Sequence, residues 1–181
     1  MRAILVGCGL GSGAEGLEEY LEGQVPTVID ADGLNYLSRN GTLLDQIRNR
    51  PYIITPHPAE MARLCGTSVA EVEADRINTA RNFAVHYGIT VVLKGHHTLI
   101  ACPCGKIWVN KTGNSALAKG GSGDVLAGFL AGLCAVGYSP EEASVIAVYS
   151  HGKAAEMLSC QMPQSSVLPS QVAETIGSLL Y

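Results

Sequence analysis

The chain has 181 residues, 47% of them hydrophobic and 15% charged, which is typical of a globular protein of about one domain. Its formal net charge of −4 and the lack of a long basic run argue against nucleic acid or an anionic membrane surface as a partner. The longest uncharged apolar run, residues 125–140, is shorter than the ~20 residues that a membrane span needs. The apolar stretch after Met1 is too short for a signal peptide, so we expect a cytoplasmic protein.

The cysteines are scattered along the chain without paired spacing, which favours reduced thiols over disulfides. They are Cys8, Cys65, Cys102, Cys104, Cys134 and Cys160. A metal site built from Cys102, Cys104, His96 and His97 is the alternative. Zinc sites usually need two separated ligand pairs, which this cluster lacks, so we predict no metal-binding residues.

Short apolar strands alternate with helical stretches along the first half of the chain. The pattern predicts strands over residues 3–6, 25–29, 52–54 and 90–93. Between them it predicts helices over residues 15–22, 34–37, 43–48, 58–64 and 68–86. Repeated strand–helix units imply a mostly parallel sheet with helices on both faces.

The pattern changes after residue 93. Residues 98–101 and 107–109 are predicted to form an antiparallel hairpin around the turn Cys102-Pro103-Cys104-Gly105. Three helices are then expected, and they begin near Gly123, after Ser139 and near Pro169. The second of these has a capping box, because Ser139 and Glu142 have the required spacing and Pro140 stands at the first helical position.

The stretch Gly120-Gly121-Ser122-Gly123-Asp124 places one acid between a glycine loop and an apolar run. Glycines let backbone N–H groups turn inward, and the first turn of a helix adds unpaired N–H donors, so together they suit a phosphate. An acid there could remove a proton from a hydroxyl that attacks this phosphate. The alternative is that Asp124 only stabilises the helix start through the dipole. No Gly-Lys-Ser/Thr follows, so this is not a Walker loop.

A rival interpretation comes from the loop after the first strand. This loop, Gly9-Leu10-Gly11-Ser12-Gly13-Ala14, fits the dinucleotide-binding fingerprint. Asp30 ends the next strand about 20 residues further along the sequence, where such proteins have the acid that binds ribose. This would make the protein a nicotinamide-dependent oxidoreductase. The match is weak in a chain with 21 glycines, and it leaves residues 120–124 unexplained.

Two further stretches follow strands and admit two readings each. Lys94 could meet a phosphate or merely end a strand with a charge. His57, Pro58 and Glu60 begin a helix, and their residue types favour capping of that helix over a direct role in binding.

Five segments taken together resemble one family. "AILVGCGLGSG", "VIDADGLN", "IITPHPAEMARL", "VVLKGHHTLIA" and "NKTGNSALAKGGSGDVLAGFLAGL" occur in the order seen in ADP/ATP-dependent NAD(P)H-hydrate dehydratases, which are ribokinase-like repair enzymes. The resemblance covers nearly the whole chain, and the last motif with "TPHPAE" separates this family from its small-molecule kinase relatives. It implies an α/β, ribokinase-like, doubly wound fold with an antiparallel hairpin near residues 98–109.

The resemblance also implies a reaction. Such an enzyme phosphorylates the hydroxyl on the hydrated nicotinamide ring of NADH or NADPH, and phosphate then leaves to restore the nicotinamide. Bacterial members usually consume ADP and eukaryotic ones ATP, and we expect Mg²⁺ to accompany the nucleotide because phosphoryl transfer needs its charge neutralised. The sequence does not choose between the two nucleotides or between the two substrates.

The resemblance assigns candidate residues by position. Asp124 matches the catalytic acid, with Gly121, Ser122 and Gly123 as its anion hole. The nucleotide is expected to contact Lys94, Gly95, His96, His97, Thr98, Asn114, Ser115 and Gly120. The substrate is expected to contact Gly9, Gly11, Asp32, Asn35, His57, Glu60 and Arg63.

Two features depart from the family pattern. Cys8 stands where the family usually has proline, and family members carry a stretch before the strand that begins at Ala3. We therefore expect a single ribokinase-like domain over residues 1–181, N-terminally incomplete relative to the family, whose exposed strand edges favour a homo-oligomer. The alternatives are a kinase of a vitamin precursor, which would release a stable phosphorylated product, and an inactive nucleotide-binding fragment.

Overall fold

The computed structural model describes residues 2–11, 16–21 and 23–179. Its six-stranded sheet has the strands in sequence order: β1 (Ile4–Val6), β2 (Thr27–Ile29), β3 (Tyr52–Ile54), β4 (Thr90–Leu93), β5 (Leu99–Ala101) and β6 (Ile107–Val109). Strands β1 to β4 pair in parallel, whereas β5 and β6 pair antiparallel. The predicted mostly parallel sheet and its hairpin near residues 98–109 are confirmed.

Helices connect and flank these strands. They are α1 (Leu17–Tyr20), α2 (Ala31–Arg39), α3 (Gly41–Gln46), α4 (Pro58–Cys65), α5 (Val69–Ala74), α6 (Arg76–Tyr87), α7 (Ser122–Val136), α8 (Pro140–Ser159) and α9 (Pro169–Ser178). Short 3₁₀ turns lie at Ser115–Leu117 and Gln164–Ser166. In the part of the chain that the structure describes, no helix combines the length and the apolar character needed to cross a bilayer.

One predicted helix is divided in two. The apolar spacing of residues 68–86 predicts a continuous helix, but α5 ends at Ala74 and α6 begins at Arg76. The break lies at Asp75, whose side chain accepts a hydrogen bond from the backbone N–H of Asn78 at 3.2 Å. Aspartate favours such a cap over a helix interior, so its own chemistry starts a new helix there.

The sheet has an apolar core on each face. Side chains alternate along β3, so Tyr52 and Ile54 pack on the face covered by α1 to α6, and Ile53 packs against α7 and α8. Each of these three residues is fully buried, which explains why the strands are continuously apolar. A third cluster joins α8 to α9 through Leu158, Val172 and Ile176.

The parallel register gathers the carboxyl ends of β1 to β4 at one edge of the sheet. Backbone bonds continue the ladder past the strands, since the N–H of Asp30 donates to Val6 O at 3.0 Å and the N–H of Thr55 to Ile29 O at 3.1 Å. The N–H of Lys94 donates in turn to Pro56 O at 2.8 Å. The loops after these strands therefore lie side by side, where ligands bind in open α/β sheets.

Candidate functional site

Helix α7 begins at this edge with its first turn open. Gly121 is its N-cap in the left-handed region, at φ 90°, and no side chain caps the helix. In the described ranges, the backbone N–H groups of Gly123 and Asp124 have no hydrogen-bond acceptor. Asp124 is exposed in this first turn. The helix start thus offers free donors and a positive dipole end to an anion.

A buried ion pair lies directly against this helix start. Lys94 Nζ is 2.7 Å from Asp30 Oδ1 and 3.9 Å from Glu60 Oε2. The Asp30 side chain is 2% exposed and that of Lys94 21%, so the carboxylate is buried while part of the cation stays accessible. A side chain at Gly123 would begin 3.6 Å from Lys94 Nζ and 3.7 Å from Asp30 Oδ2. The first turn of α7 therefore lies close to this pair.

Cys8, in the loop after β1, lies close to Asp30 and to the start of α7. Its Sγ and carboxylate oxygens of Asp30 and Asp124 all lie within 4.8 Å of one another. Burial raises the pKa of the Cys8 thiol to about 12, helped by the negative charge of Asp30 and a hydrogen bond to Asp124. The thiol is therefore protonated at neutral pH and acts as the donor toward Asp124. Sequence reasoning noted Cys8 as a departure from the family pattern but gave no contact for it.

Helix α4 begins at the same edge with its first turn closed. His57 Nδ1 accepts hydrogen bonds from the N–H groups of Ala59 at 3.1 Å and Glu60 at 3.4 Å. Glu60 Oε2 accepts in return from the N–H of His57 at 2.7 Å, which completes a capping box. The capping interpretation of this segment is confirmed, and a role toward substrate stays a prediction. Arg63 lies one turn beyond Glu60, exposed and without a side-chain partner in the residues described.

The glycine loop after β1 is closed by a carboxylate. Gly9 and Gly11 have φ values of 70° and 61°, and the N–H of Gly11 donates to Asp32 Oδ2 at 2.8 Å. Asn35 follows one turn later on α2 and is half-buried. The predicted residues Ser12, Gly13 and Ala14 of the dinucleotide fingerprint lie outside the described residues.

The ribose-binding role considered for Asp30 does not agree with its environment. A ribose would need this carboxylate at the surface of the cleft, but the residue is 2% exposed and Oδ1 accepts a hydrogen bond from Lys94 Nζ. Gly7 packs so closely that a side chain there would collide with the carbonyl of Asp30. Asp30 is the buried partner of the cation, a role that sequence reasoning missed.

Arg76 fixes the loop that follows β4. Its Nη1 donates to His96 O at 2.6 Å, and its Nη2 lies 3.3 Å from both Leu93 O and Lys94 O. Gly95 has a φ of 145°, which favours glycine, and a side chain there would also meet Nη2 at 2.7 Å. Sequence reasoning missed Arg76 because it placed the residue in the interior of a longer helix.

The first loop predicted to bind nucleotide, residues 94–98, is held where it enters β5. The N–H of Asn110 donates to Thr98 O at 2.9 Å, and Thr98 Oγ1 donates to Gly95 O at 3.1 Å. His96 and His97 are exposed, and their ring centroids lie 3.9 Å apart. The tip of the first loop is thus open to solvent while its base is fixed.

The second loop is held from behind. Asn114 Oδ1 accepts from the N–H of Ala116 at 3.0 Å, and its Nδ2 donates to Ser159 Oγ at 3.0 Å. The hydroxyl of Ser115 contacts Gln164 Oε1. Gly120 is exposed with open space around its Cα. The side chains of Asn114 and Ser115 therefore support the loop, and its contact with nucleotide stays a prediction.

His151 lies behind the start of α7, where no sequence signal pointed to it. It is 6% exposed and adjoins the backbone of Ser122. Burial lowers its pKa to about 4, so the ring is neutral at physiological pH. Its Nε2 is buried and has no hydrogen-bond partner in the region that the structure describes.

The metal site that was considered as an alternative, from Cys102, Cys104, His96 and His97, does not come together among the described residues. Within residues 2–11, 16–21 and 23–179, the group of metal-ligating side chains that come close together is Cys8, Asp30 and Asp124. Cys102 is instead buried, and its thiol forms a hydrogen bond with Glu141. Burial raises the pKa of this thiol to about 12, helped by the negative charge of Glu141 and by that hydrogen bond.

Comparison with known proteins identifies the family. The model for NAD(P)H-hydrate dehydratase matches residues 1–178. The chain belongs to the NAD(P)H-hydrate dehydratase family. It is 45% identical over 166 residues to the ADP-dependent (S)-NAD(P)H-hydrate dehydratase of Neisseria meningitidis, a match that covers 87% of the chain and 55% of that protein. It is 35% identical over 181 residues to the protein of the same name from Bacillus subtilis, covering 97% of the chain and 62% of that protein.

Solved structures of dehydratase family members have the same fold. The ADP/ATP-dependent NAD(P)H-hydrate dehydratase from Bacillus subtilis, co-crystallised with ATP/Mg²⁺ and soaked with CoA, superposes with a TM-score of 0.84 at 32% identity. That match covers 99% of this chain and 65% of the other. A hydroxyethylthiazole kinase from Pyrococcus horikoshii shares the fold, with a TM-score of 0.63 at 19% identity over 93% of this chain and 61% of the other. The chain thus spans between 55% and 65% of the length of the dehydratases compared.

Proposed function

We propose that this chain carries out the ADP- or ATP-dependent dehydration of hydrated NADH or NADPH, as a lyase of metabolite repair. One observation carries the proposal: in a member of the dehydratase family, Asp124 and the free N–H groups of Gly123 and Asp124 lie beside the Lys94 cation. An acid, an anion hole and a cation at one point suit a hydroxyl that attacks a phosphoryl group.

Asp124 is the base in this mechanism. It is exposed in the first turn of α7, so its carboxylate can reach the hydroxyl of the hydrated nicotinamide ring. It takes the proton of that hydroxyl while the oxygen forms a bond to the terminal phosphorus of the nucleotide, and the bond to the departing nucleotide breaks. Phosphate then leaves the ring carbon with the oxygen of the former hydroxyl. The neighbouring ring carbon loses a proton, and the electron pair of that C–H bond forms the double bond that restores the dihydronicotinamide ring.

The anion hole and Lys94 stabilise the transferred phosphoryl group. Its negative oxygens accept hydrogen bonds from the N–H groups of Gly123 and Asp124, at the positive end of the α7 dipole. Lys94 adds a cation whose position is held by the buried Asp30 carboxylate at 2.7 Å. These groups are in place before the nucleotide arrives, so little reorganisation is needed during the reaction.

The adenine nucleotide binds along the loops of residues 94–98 and 114–120. Arg76 holds the first loop, and the side chains of Asn114 and Ser115 hold the second, so backbone groups face the ligand. The residues beside Lys94 also fit Mg²⁺, because Oδ2 of Asp30, which accepts no hydrogen bond among the described residues, offers the carboxylate oxygen that this ion prefers. When bound, Mg²⁺ would neutralise phosphate charge.

The hydrated nicotinamide nucleotide binds on the opposite side of Asp124. Two segments border this side. One is the loop from Gly9 to Gly11, which is hydrogen-bonded to Asp32, and the other is the start of α4, where His57 and Arg63 are exposed. Glu60 connects the two sides, since it caps α4 and lies 3.9 Å from Lys94 Nζ.

The test is recovery of the NADH absorbance from purified hydrated NADH, with ADP or ATP and Mg²⁺, by a chain shown to be folded. Recovery with release of AMP from ADP, or of ADP from ATP, supports the proposal. Formation of a stable phosphorylated vitamin precursor would instead support the kinase alternative. Nucleotide binding in calorimetry without either reaction would support the inactive-fragment alternative.

We also propose a cytoplasmic enzyme that associates into a homo-oligomer. Adenine nucleotides and reduced nicotinamide nucleotides are its small-molecule partners under the proposed reaction. Association is supported by the outer edge of β1, which pairs with β2 on one side alone in the described sheet. Multi-angle light scattering tests it, and a clean monomer at assay concentration would contradict it.

A further inference from the structure

Three ligand atoms from three separate segments converge beneath the start of α7. The Cys8 thiol comes from the loop after β1, the Asp30 carboxylate from the end of β2, and the Asp124 carboxylate from the first turn of α7. Their ligand atoms lie within 4.8 Å of one another, close enough to bind one ion with small side-chain rotations. Neither the proposed base role of Asp124 nor the Lys94 pair explains why a thiol stands in this group.

The Asp30 carboxylate has one oxygen that the protein does not use. Asp30 occupies the N-cap position of α2, but its side chain caps no helix N–H. Its Oδ1 accepts from Lys94 Nζ at 2.7 Å, and no hydrogen bond to Oδ2 is present among the residues described. Oδ2 points toward the start of α7, 3.7 Å from where a Cβ on Gly123 would lie. This oxygen is therefore available to a ligand that approaches from the start of α7.

We propose that Cys8, Asp30 and Asp124 form a binding site for a thiophilic divalent cation such as Zn²⁺ or Cd²⁺. One sulfur and two carboxylate oxygens are three of the four ligands of a tetrahedral site, and water supplies the fourth. On binding, the Cys8 S–H bond breaks, sulfur bonds the ion, and the proton passes to solvent.

The local charge suits a dication. With the thiol ionised, the three ligands carry three negative charges, and Lys94 on Asp30 Oδ1 carries one positive charge. The ion neutralises what remains, while the Lys94 ammonium keeps its place on the opposite oxygen. The thiol also distinguishes this site from that of Mg²⁺, which takes oxygen ligands and gains nothing from sulfur.

Occupation of the site removes Asp124 as a base. A carboxylate that is bound to Zn²⁺ or Cd²⁺ is too weak a base to take the proton of the attacking hydroxyl effectively, because the nearby cation favours its ionised form. This consequence rests on the proposed function, whereas the binding site itself does not. Thiophilic ions should therefore inhibit the dehydratase reaction at the concentrations at which they bind.

The binding experiment is a titration with CdCl₂, followed by the ultraviolet charge-transfer absorbance of the sulfur–cadmium bond. The reference chain carries serine at the exposed Cys65, Cys104 and Cys160, so that surface thiols do not contribute. Two variants of it test the site, Cys8→Ser and Asp124→Asn. Cys134→Ala is the matched control, because Cys134 is a buried thiol in the α7–α8 core outside this group. Circular dichroism establishes that each chain is folded.

We expect one Cd²⁺ per reference chain, with the charge-transfer band lost in Cys8→Ser and kept in Cys134→Ala. Asp124→Asn should weaken binding by at least about 10–100-fold, since the loss of even an outer-shell partner costs that much at metal sites. If Cys8→Ser or Asp124→Asn binds Cd²⁺ as tightly as the reference chain, the proposal is wrong. The readout needs no turnover, so failure of the proposed function leaves it intact.

Discussion

Two helices begin at the same edge of the sheet and treat their first turns in opposite ways. Helix α4 starts at His57, whose ring accepts from two N–H groups while Glu60 accepts from the N–H of His57. Helix α7 starts at Gly121 with no side-chain cap, and the acid of its first turn, Asp124, makes no such bond. Both helices carry one carboxylate in the first turn. That of Glu60 accepts a hydrogen bond from the helix start, whereas that of Asp124 caps no helix N–H group.

This difference separates stability from reactivity. The closed start of α4 satisfies donors that would otherwise need water, which stabilises the fold by about 0.5–2 kcal/mol. The open start of α7 forgoes that contribution and keeps two N–H groups for an anion. The contrast predicts that substitutions at α7 change turnover more than stability, and that substitutions at α4 do the reverse.

The largest expected effect is on turnover at the open start. Asp124→Asn keeps the shape of the side chain and the N–H groups but removes the proton acceptor. We expect turnover of hydrated NADH to fall by about 10²–10⁴-fold, the range for a general base, with nucleotide affinity nearly unchanged. Steady-state kinetics and calorimetry measure the two quantities. An equal loss of both would identify Asp124 as a structural residue.

The next effect concerns the ion pair beneath α7. Lys94→Met leaves the Asp30 carboxylate 2% exposed and without its cation, which should lower the free energy of unfolding by about 3–5 kcal/mol. Urea denaturation measures this. The matched control is Lys106→Met, whose pair with Glu141 is exposed and should cost at most about 1 kcal/mol. Similar losses in the two variants would show that the Asp30 pair is not structurally important.

A pH effect should come from the histidine behind the open start. Burial lowers the pKa of His151 to about 4, below its unfolded value near 6.5, so the unfolded chain binds the extra proton first. His151 therefore leaves the free energy of unfolding unchanged above about pH 6.5. As the pH drops from there toward 4, His151 lowers that free energy by up to about 1.4 kcal/mol per pH unit. We expect His151→Gln to flatten this fall in urea denaturation between pH 7.5 and 4.5, whereas the exposed His86→Gln should not. Parallel curves for all three chains would contradict the assignment.

The smallest effect is on stability at the closed start. His57→Ala removes the acceptor for two N–H groups and should cost about 1 kcal/mol of unfolding free energy. Asp124→Asn changes a side chain that caps no helix N–H group. Its free energy of unfolding should therefore stay within about 0.5 kcal/mol of the wild-type value. Chemical denaturation of the two variants compares them directly. The opposite order would show that Asp124, and not His57, stabilises its helix.

Much of the fold was predictable because its signals are local. Strands over residues 52–54, 90–93 and 107–109 have the predicted bounds, since short apolar runs between turn residues mark strands. The Ser139 capping box is also present, because it needs only Ser139 and Glu142 in the right spacing. The break at Asp75 was missed, because an N-cap signal was outweighed by the apolar spacing on both sides of it.

The candidate site was predictable as a location and less so as a set of contacts. Strand order implied that the loops after β1 to β4 would share an edge. The pairing of Lys94 with Asp30, which are 64 positions apart, depends on side-chain packing that no local pattern encodes. The same holds for Arg76 beneath the 94–98 loop and for the Cys8 thiol beside Asp124, which act through tertiary neighbours.

The most direct measurement of the difference between the two helix starts is amide NMR of the folded 19.0 kDa chain. ¹⁵N-labelled protein is titrated with ADP and Mg²⁺ while the N–H signals of both first turns are followed. We predict that Gly123 and Asp124 shift as their free donors bind phosphate, and that Ala59 and Glu60, already bonded to His57, stay nearly in place. Unmoved signals for Gly123 and Asp124 at saturating nucleotide, or equal shifts at both helices, would contradict an anion site at the start of α7.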